Sequence, residues 1–140
     1  MKESIYSLII DDDLDDQEIF IMCVKDIRED IDCRTANNGI EALAMLESQK
    51  EYIPNYIFLD VNMPKMNGIE CLGHLRKIDR FRNTKIFMYS TTSESDTVEE
   101  SRNLGADDFI IKPAKTAVLI EKLSKIFGIT PEENGLLHVT

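Results

Sequence analysis

The sequence alternates short, continuously apolar runs with longer segments of helical apolar spacing, and this alternation constrains the fold more than any other feature. Apolar runs at residues 5–10, 56–59, 86–89 and 109–111, and a half-exposed alternation at 31–35, predict five strands. Continuous apolar strands are typical of a parallel sheet covered on both faces. Because parallel strands are joined by right-handed helical crossovers, the pattern predicts a doubly wound α/β fold with a five-stranded parallel sheet and five helices.

Five amphipathic segments follow the strand candidates and predict the helices. The apolar residues with helical spacing are Phe20, Cys23, Val24 and Ile27 in the first, Ile40, Leu43 and Ala44 in the second, Ile69, Leu72 and Leu75 in the third, and Leu119, Ile120, Leu123, Ile126 and Phe127 in the fifth. The fourth, at about residues 95–104, has only Val98 and Leu104 as large apolar residues, which predicts a weakly packed, mobile helix. Gly105 is predicted to end that helix and Asn38 to cap the second.

Length and charge bound the class of protein. A chain of 140 residues with 43% apolar residues suits one domain, and its net charge of −10 disfavours binding to a phosphate backbone. No apolar run approaches the roughly 20 residues of a membrane span, and the N-terminus does not fit a signal peptide. The cysteines, Cys23, Cys33 and Cys71, are odd in number and form no CxxC pair. We therefore expect a cytoplasmic protein that binds neither nucleic acid nor membrane.

Polar residues follow four of the five strands at the point where each ends. Asp11, Asp12 and Asp13 follow the first strand, Asp60 the third, Ser90 and Thr91 the fourth, and Lys112 the fifth. In open α/β sheets ligands bind at the carboxyl ends of the strands, near the switch in strand order. The sequence therefore predicts that acids, a hydroxyl and an amine meet at one edge of the sheet.

This set of side chains indicates a particular chemistry. Converging carboxylates repel one another unless a cation neutralises them, and a few carboxylates with several waters are typical of Mg²⁺ sites. One carboxylate can act as a nucleophile and form an acyl phosphate. A serine hydroxyl and a lysine ammonium are suitable donors for the phosphoryl oxygens.

The segments LIIDDDLDD, FLDVNMPKMNG, MYSTTS and GADDFIIKP resemble the four signature regions of response-regulator receiver domains, over about residues 5–128. The resemblance implies a flavodoxin-like (CheY-like) three-layer sandwich with strand order 2-1-3-4-5. It also implies a receiver domain at residues 1–130 of a stand-alone type, followed by a short tail at 131–140 and no output domain.

The resemblance also implies site roles. Asp60 is the phosphoacceptor, Asp12 binds Mg²⁺ directly, and Asp11 binds it mainly through water, while the backbone carbonyl of Asn62 completes the metal ligands with Asp60.

Two further side chains and a switch pair are implied in the same way. Ser90 and Lys112 act with Asp60 in phosphoryl transfer, and Ser90 and Phe109 form the switch. A cis bond between Lys112 and Pro113 is expected to aim the lysine inward.

The resemblance implies partner proteins as well. The donor of the phosphoryl group is a sensor histidine kinase or a histidine phosphotransfer protein. The output partner binds the face of the fourth helix, fifth strand and fifth helix, and the chain is a monomer or a weak homodimer.

The sequence departs from the family pattern at a few positions. Thr91 follows Ser90 where the family usually has Ala or Gly, and Phe109 replaces the more frequent Tyr. Asn62 and Thr92 occupy the variable positions that tune loss of the phosphoryl group. We expect these residues to affect access to the phosphoacceptor and its lifetime.

Other interpretations of the acids and histidines were weighed. Asp13, Asp15 and Asp16 are predicted to cap and charge the first helix. His74 and His138 are predicted to be plain surface residues.

Three other functions compete with the receiver as interpretations of the sequence. A calcium loop starting at Asp11 fails, because it needs Gly and Glu where Asp16 and Met22 stand. A Mg²⁺-dependent phosphatase of the haloacid-dehalogenase type stays open, although Asp15 stands at the last position of its DxDx[TV] motif. A binding module that keeps only the fold is the third alternative.

Overall fold

The computed structural model describes residues 3–91 and 93–130, and within them the chain alternates strands and helices. The elements are β1 (Tyr6–Ile10), α1 (Leu14–Ile27), β2 (Asp32–Ala36), α2 (Gly39–Ser48), β3 (Tyr56–Leu59), α3 (Gly68–Arg76), a short 3₁₀ helix (Asp79–Phe81), β4 (Lys85–Ser90), α4 (Ser95–Asn103), β5 (Asp108–Ile111) and α5 (Thr116–Phe127). All strand pairs are parallel, in the order β2-β1-β3-β4-β5. The predicted fold and strand order are therefore confirmed.

The register of the central strands aligns their carboxyl ends. Ile10 at the end of β1 pairs with Ala36 of β2 and with Leu59 of β3. The backbone N–H of Asp60 continues this ladder by donating to the carbonyl of Ile10 at 2.9 Å. Because the strand order reverses at β1, residues just beyond β1 and β3 lie next to each other at the switch point.

The sheet separates two hydrophobic clusters. Successive strand residues point to opposite faces, so Leu8 and Ile10 join the cluster under α2 and α3, whereas Ile9 joins the one under α1 and α5. The second cluster includes a ring contact of 4.8 Å between the centroids of Phe20 and Phe58. Each fully buried apolar side chain contributes about 1.5–3 kcal/mol of transfer free energy. The two covered faces explain why the strands are continuously apolar.

The buried face of α2 differs from the predicted one. Ile40 is 49% exposed, while Ala42 and Leu46 are buried against the sheet. Gly39, Ala42 and Leu46 form one stripe, and Ile40 lies about 100° around the helix from Gly39. The prediction that Ile40 and Ala44 lie on the buried face of α2 is therefore wrong. Small residues on the true buried face bring this helix close to its neighbours.

The fourth helix has little buried surface. Within its described side chains, only Ser101 is buried, and no side chain caps its first turn at Glu94. Gly105 follows with φ of +105°, as a C′ glycine does. The prediction of a thinly packed helix that ends at Gly105 is confirmed.

The predicted caps of two other helices are present. The side chain of Asp13 accepts a hydrogen bond from the N–H of Asp16 at 3.1 Å, and that of Asn38 accepts one from Glu41 at 2.8 Å. Among residues 3–91 and 93–130, every helix is too short or too polar to span a lipid bilayer.

The cysteines are unpaired thiols in or near the core. Cys23 and Cys71 are buried and Cys33 is half-buried. Burial raises the pKa of Cys23 to about 11, with the charge of Asp26 adding to the effect, and raises that of Cys71 to about 12. At neutral pH these two are therefore protonated core residues.

Arg76 ties together the loops at the amino edge of the sheet. Its guanidinium donates to the carbonyls of Gly105, Phe81 and Thr84 at 2.8, 3.1 and 3.0 Å. It also pairs with the carboxylate of Asp107 at 2.8 Å. One half-buried side chain thus connects the end of α3 to the loops that enter β4 and β5.

The remaining predictions concern the two histidines, Thr92 and the C-terminal tail. His74 is exposed in the last turn of α3, as predicted. His138, Thr92 and the tail at 131–140 lie outside the described residues.

Candidate functional site

Three carboxylates meet at the carboxyl edge of the sheet. Asp11 and Asp12 follow β1 and Asp60 follows β3, and one oxygen from each lies within 4.8 Å of the other two. Asp11 is fully buried, Asp60 is 6% exposed, and Asp12 is exposed. The aligned strand ends thus present an acidic cluster with one open side.

Lys112 brings an ammonium group to this cluster. Its Nζ lies 2.7 Å from Oδ2 of Asp11, 2.9 Å from Oδ2 of Asp16 and 3.8 Å from Oδ2 of Asp60. Its backbone N–H donates to the carbonyl of Ser90 at 2.7 Å, which aligns the ends of β5 and β4. Asp16 lies in the first turn of α1 as predicted, but its contact with Lys112 was not predicted.

The bond between Lys112 and Pro113 is trans, because no cis peptide bond occurs in the described part of the chain. The expected cis bond is therefore wrong here. A trans bond is the intrinsic preference of X–Pro by about 0.5–1 kcal/mol. Lys112 reaches the acids from this conformation.

The electrostatics of the cluster are unusual. The pKa of Asp60 is raised to about 7, chiefly by burial and also by the charge of Asp11, while the charge of Lys112 and the N–H of Asn62 oppose the rise. Burial lowers the pKa of Lys112, but hydrogen bonds to Asp11 and Asp16 and the charge of Asp60 outweigh it and place that pKa above its ordinary value. The ammonium is therefore charged, and it balances only part of the acidic charge.

Asp11 retains unused acceptor capacity. Its Oδ1 accepts the N–H of Asp13 at 3.0 Å. Its Oδ2 is buried and lies 2.7 Å from Nζ of Lys112, which leaves one of its two lone pairs for another ligand. A buried carboxylate oxygen next to two further carboxylates is a suitable ligand for a hard divalent cation, directly or through water. The donor set therefore fits a hard divalent cation such as Mg²⁺.

Two supporting residues were missed by sequence reasoning. Gly68 begins α3, and its N–H donates to the carbonyl of Val61 at 2.8 Å. A Cβ at Gly68 would lie 2.0 Å from the carbonyl oxygen of Asp60, so only glycine lets the loop pack against this residue. The signal was the glycine within FLDVNMPKMNG, whose spacing alone does not show a close approach.

Gln17 is the second missed residue. It is buried in α1, and its Nε2 donates to the carbonyl of Asp11 at 2.6 Å and to Oδ1 of Asn37 at 2.9 Å. These bonds tie the end of β1 to the residue that follows β2. One glutamine in a polar helical turn gives no sequence signal for this role.

The other predicted site residues lie around the cluster. Ser90 is fully buried at the end of β4, and Asn62 donates its N–H to Oδ1 of Asp60 at 3.4 Å. Thr91 is exposed and lines, with Asp60 and Asn62, an open cavity of about 500 Å³. Phe109 is half-buried and packs against the cluster under α2 and α3.

A larger cavity, of about 800 Å³, lies at the opposite edge of the sheet. Its lining includes Arg34, whose guanidinium carbon lies 4.1 Å from the centroid of the Tyr52 ring, and a single acid among the described residues, Glu51. Because convergent reactive groups define a site better than volume does, the smaller cavity is the candidate.

The family model of the response regulator receiver domain matches residues 7–124. This chain belongs to that family. It is 33% identical over 113 residues to the chemotaxis protein CheY of Thermotoga maritima, covering 81% of this chain and 92% of that protein. It is 38% identical over 130 residues to a CpxR homolog, a transcriptional regulatory protein of Haemophilus influenzae, covering 91% of this chain and 53% of that protein.

Solved receiver structures have the same fold. The chemotaxis protein CheY4 of Vibrio cholerae superimposes with a TM-score of 0.77 at 26% identity, covering 89% of this chain and 99% of that one. A complex of CheX and CheY with BeF₃ and Mg²⁺ from Borrelia burgdorferi gives a TM-score of 0.71 at 26% identity, covering 88% and 89%. This chain is thus a phosphoacceptor of two-component signalling rather than a phosphatase or another enzyme in the strict sense.

Proposed function

We propose that Asp60 accepts a phosphoryl group from a sensor histidine kinase or a histidine phosphotransfer protein, and that this changes a surface bound by an output partner. One observation carries the proposal. The carboxylates of Asp11, Asp12 and Asp60 converge within 4.8 Å, beside the ammonium of Lys112. Of the three, Asp60 is both close to Lys112 and part of the wall of the open cavity, which suits a nucleophile.

The acids and the loop after β3 would hold Mg²⁺. Asp12 and Asp60 would bind it directly, Asp11 mainly through water, and Asn62 through its backbone carbonyl. The exposure of Asp12 and the unused acceptor capacity of Asp11 support this assignment. When bound, Mg²⁺ would neutralise the carboxylates and the oxygens of an incoming phosphoryl group.

The transfer step would use the chain's own groups. A carboxylate oxygen of Asp60 attacks phosphorus, the bond from phosphorus to the donor's imidazole nitrogen breaks, and its electron pair stays on that nitrogen. The ammonium of Lys112 and the hydroxyl of Ser90 donate hydrogen bonds to the phosphoryl oxygens. Attack of water on phosphorus later releases inorganic phosphate and restores the carboxylate.

The switch would run from Ser90 to Phe109. Ser90 is buried next to the site, and Phe109 is half-buried beside α4, so an inward shift of both would move the thinly packed helix. The face formed by α4, β5 and α5 exposes Leu104, Ile111 and Val118, which suits a partner surface. A helix with so little buried surface fits an element whose two arrangements are close in free energy.

The direct test is incubation with acetyl phosphate and Mg²⁺, followed by intact-mass and peptide mapping. We expect the mass of one phosphoryl group to be added at Asp60, and Asp60→Asn to lose it. Asp79→Asn is the matched control, because it removes an exposed carboxylate near the opposite edge of the sheet. Removal of Mg²⁺ with EDTA should abolish labelling in every variant.

Two results would contradict the proposal. One is labelling that persists in Asp60→Asn at the same rate. The other is repeated turnover of small phosphate esters, which would mark an enzyme instead of a stoichiometric acceptor.

A further inference from the structure

Lys112 is engaged most closely by acids other than the proposed phosphoacceptor. Its Nζ lies 2.7 Å from Asp11 and 2.9 Å from Asp16, but 3.8 Å from Asp60. The lysine side chain is only 8% exposed, so few water molecules compete for its three donors. A phosphoryl group on Asp60 would have to draw the ammonium away from at least one of these partners.

Asp16 stands apart from the proposed metal ligands and from the helix cap. The capping oxygen of α1 belongs to Asp13, to which Asp16 contributes only its backbone N–H. The side chain of Asp16 instead crosses to a residue 96 positions away and lines the same cavity as Asp60. Its side chain is 31% exposed, so its contact with Lys112 can open at modest free-energy cost.

We propose that Asp16 is a positioning residue that holds the ammonium of Lys112 in the resting state and thereby weakens binding of a phosphoryl group at Asp60. This role rests on the proposed function. Asp16 acts in two ways: it occupies a donor that the phosphoryl oxygens need, and it places a negative charge beside the arriving negative group. Asp16 thus sets how readily the receiver is switched on.

The experiment is a titration with beryllofluoride, a phosphoryl mimic, in the presence of Mg²⁺. The chain contains no Trp, so binding is followed by amide NMR. Asp16→Asn should bind beryllofluoride about two- to fivefold more tightly than the wild type, the change expected for loss of a partly exposed ion pair. Labelling by acetyl phosphate should accelerate by a similar factor.

Asp15→Asn is the matched control. Asp15 is exposed in the same first turn of α1, so this change removes the same formal charge and a similar interaction with the helix dipole. It should leave beryllofluoride affinity unchanged. Asp16→Glu keeps the charge and can still reach Lys112, so it should return affinity to the wild-type value.

The outcomes separate the two proposals. Tighter binding in Asp16→Asn alone, with recovery in Asp16→Glu, supports the positioning role. Equal affinity in Asp16→Asn, Asp15→Asn and the wild type, or weaker binding in Asp16→Asn, overturns that role while the wild-type response preserves the proposed function. A wild type that neither binds beryllofluoride nor becomes labelled overturns the proposed function, and the positioning role with it.

Discussion

Gly68 fixes the loop after β3 through a contact that no other residue allows. A Cβ at this position would lie 2.0 Å from the carbonyl oxygen of Asp60, which is backbone and cannot turn aside. We therefore expect Gly68→Ala to lower the free energy of unfolding by more than about 2 kcal/mol, as steric strain at a tight backbone contact does. Urea unfolding measures this loss.

Gly73, in the same helix, provides the control. A Cβ there meets nothing within 4 Å among the described residues. Gly73→Ala should therefore stabilise the protein by about 0.5–1 kcal/mol, because alanine loses less backbone entropy in a helix. If both substitutions shifted stability in the same direction, the close contact at Gly68 would not be the cause.

In the metal-free protein, ionisation of Asp60 should lower the free energy of unfolding as pH rises. Its pKa is raised from 3.8 to about 7 by burial and by Asp11. Below pH 3.8 the carboxyl is protonated in both the folded and the unfolded state, so it does not make the free energy of unfolding depend on pH. Between the two values the unfolded chain loses the proton first, so stability declines across that window, by at most about 4 kcal/mol, and levels off above it.

Asp60→Asn should lack this decline. Its stability relative to the wild type should rise from about pH 4 to about pH 7 in urea unfolding with EDTA present. Asp79→Asn, at an exposed site, should show no such trend. A difference between Asp60→Asn and the wild type that stays constant over this range would contradict the raised pKa.

At the scale of elements, α4 should open more readily than any helix that contributes several core residues. It buries only Ser101 among its described side chains, whereas α5 buries Leu119, Leu123 and Phe127. Native-state hydrogen exchange should therefore show α4 amides exchanging by local opening, while α5 amides approach the global free energy of unfolding. Equal protection of the two helices would contradict this.

The elements could be predicted because local spacing determines them. Continuous apolar runs marked the buried strands, and residues such as Phe20 and Leu123 marked the helices that cover the sheet. The cap at Asn38 and the end at Gly105 followed from side-chain and backbone chemistry within a few residues. The prediction for the buried face of α2 was wrong because small residues determine how this helix packs, and a search for large apolar residues at helical spacing does not detect them.

The site was predictable only as a set of strand ends. The sheet topology brings Asp11, Asp60 and Lys112 to one edge whatever their side chains do. The partners of those side chains depend on helix placement: Asp16 reaches Lys112 because α1 starts beside β5's end, 96 residues away in sequence. Gly68 likewise reveals its role only when the loop is seen folded back onto Asp60.

For the molecule as a whole, substitution of Arg76 tests whether a change at the amino edge of the sheet affects the chemistry at its carboxyl edge. It is 19% exposed and donates to three backbone carbonyls as well as to Asp107. Arg76→Ala should lower the free energy of unfolding by about 2–4 kcal/mol, because those acceptors lose a charged donor. Labelling of the folded fraction by acetyl phosphate should keep its wild-type rate.

Arg82→Ala is the comparison, since Arg82 is exposed and its side chain makes no hydrogen bond or ion pair in the described ranges. It should change stability by no more than about 0.5 kcal/mol. Slower labelling in folded Arg76→Ala would show that the amino edge influences the chemistry.

The position of Arg76, at the edge of the sheet opposite to the acidic cluster, has an evolutionary consequence. If folded Arg76→Ala keeps the wild-type labelling rate, substitutions around Arg76 and Asp107 change how much folded protein a cell maintains without changing how it responds, whereas those around Asp60 change both. A lineage can then adjust abundance through the amino edge while the response of the folded protein is kept. Sequence drift at one edge need not be matched by compensation at the other.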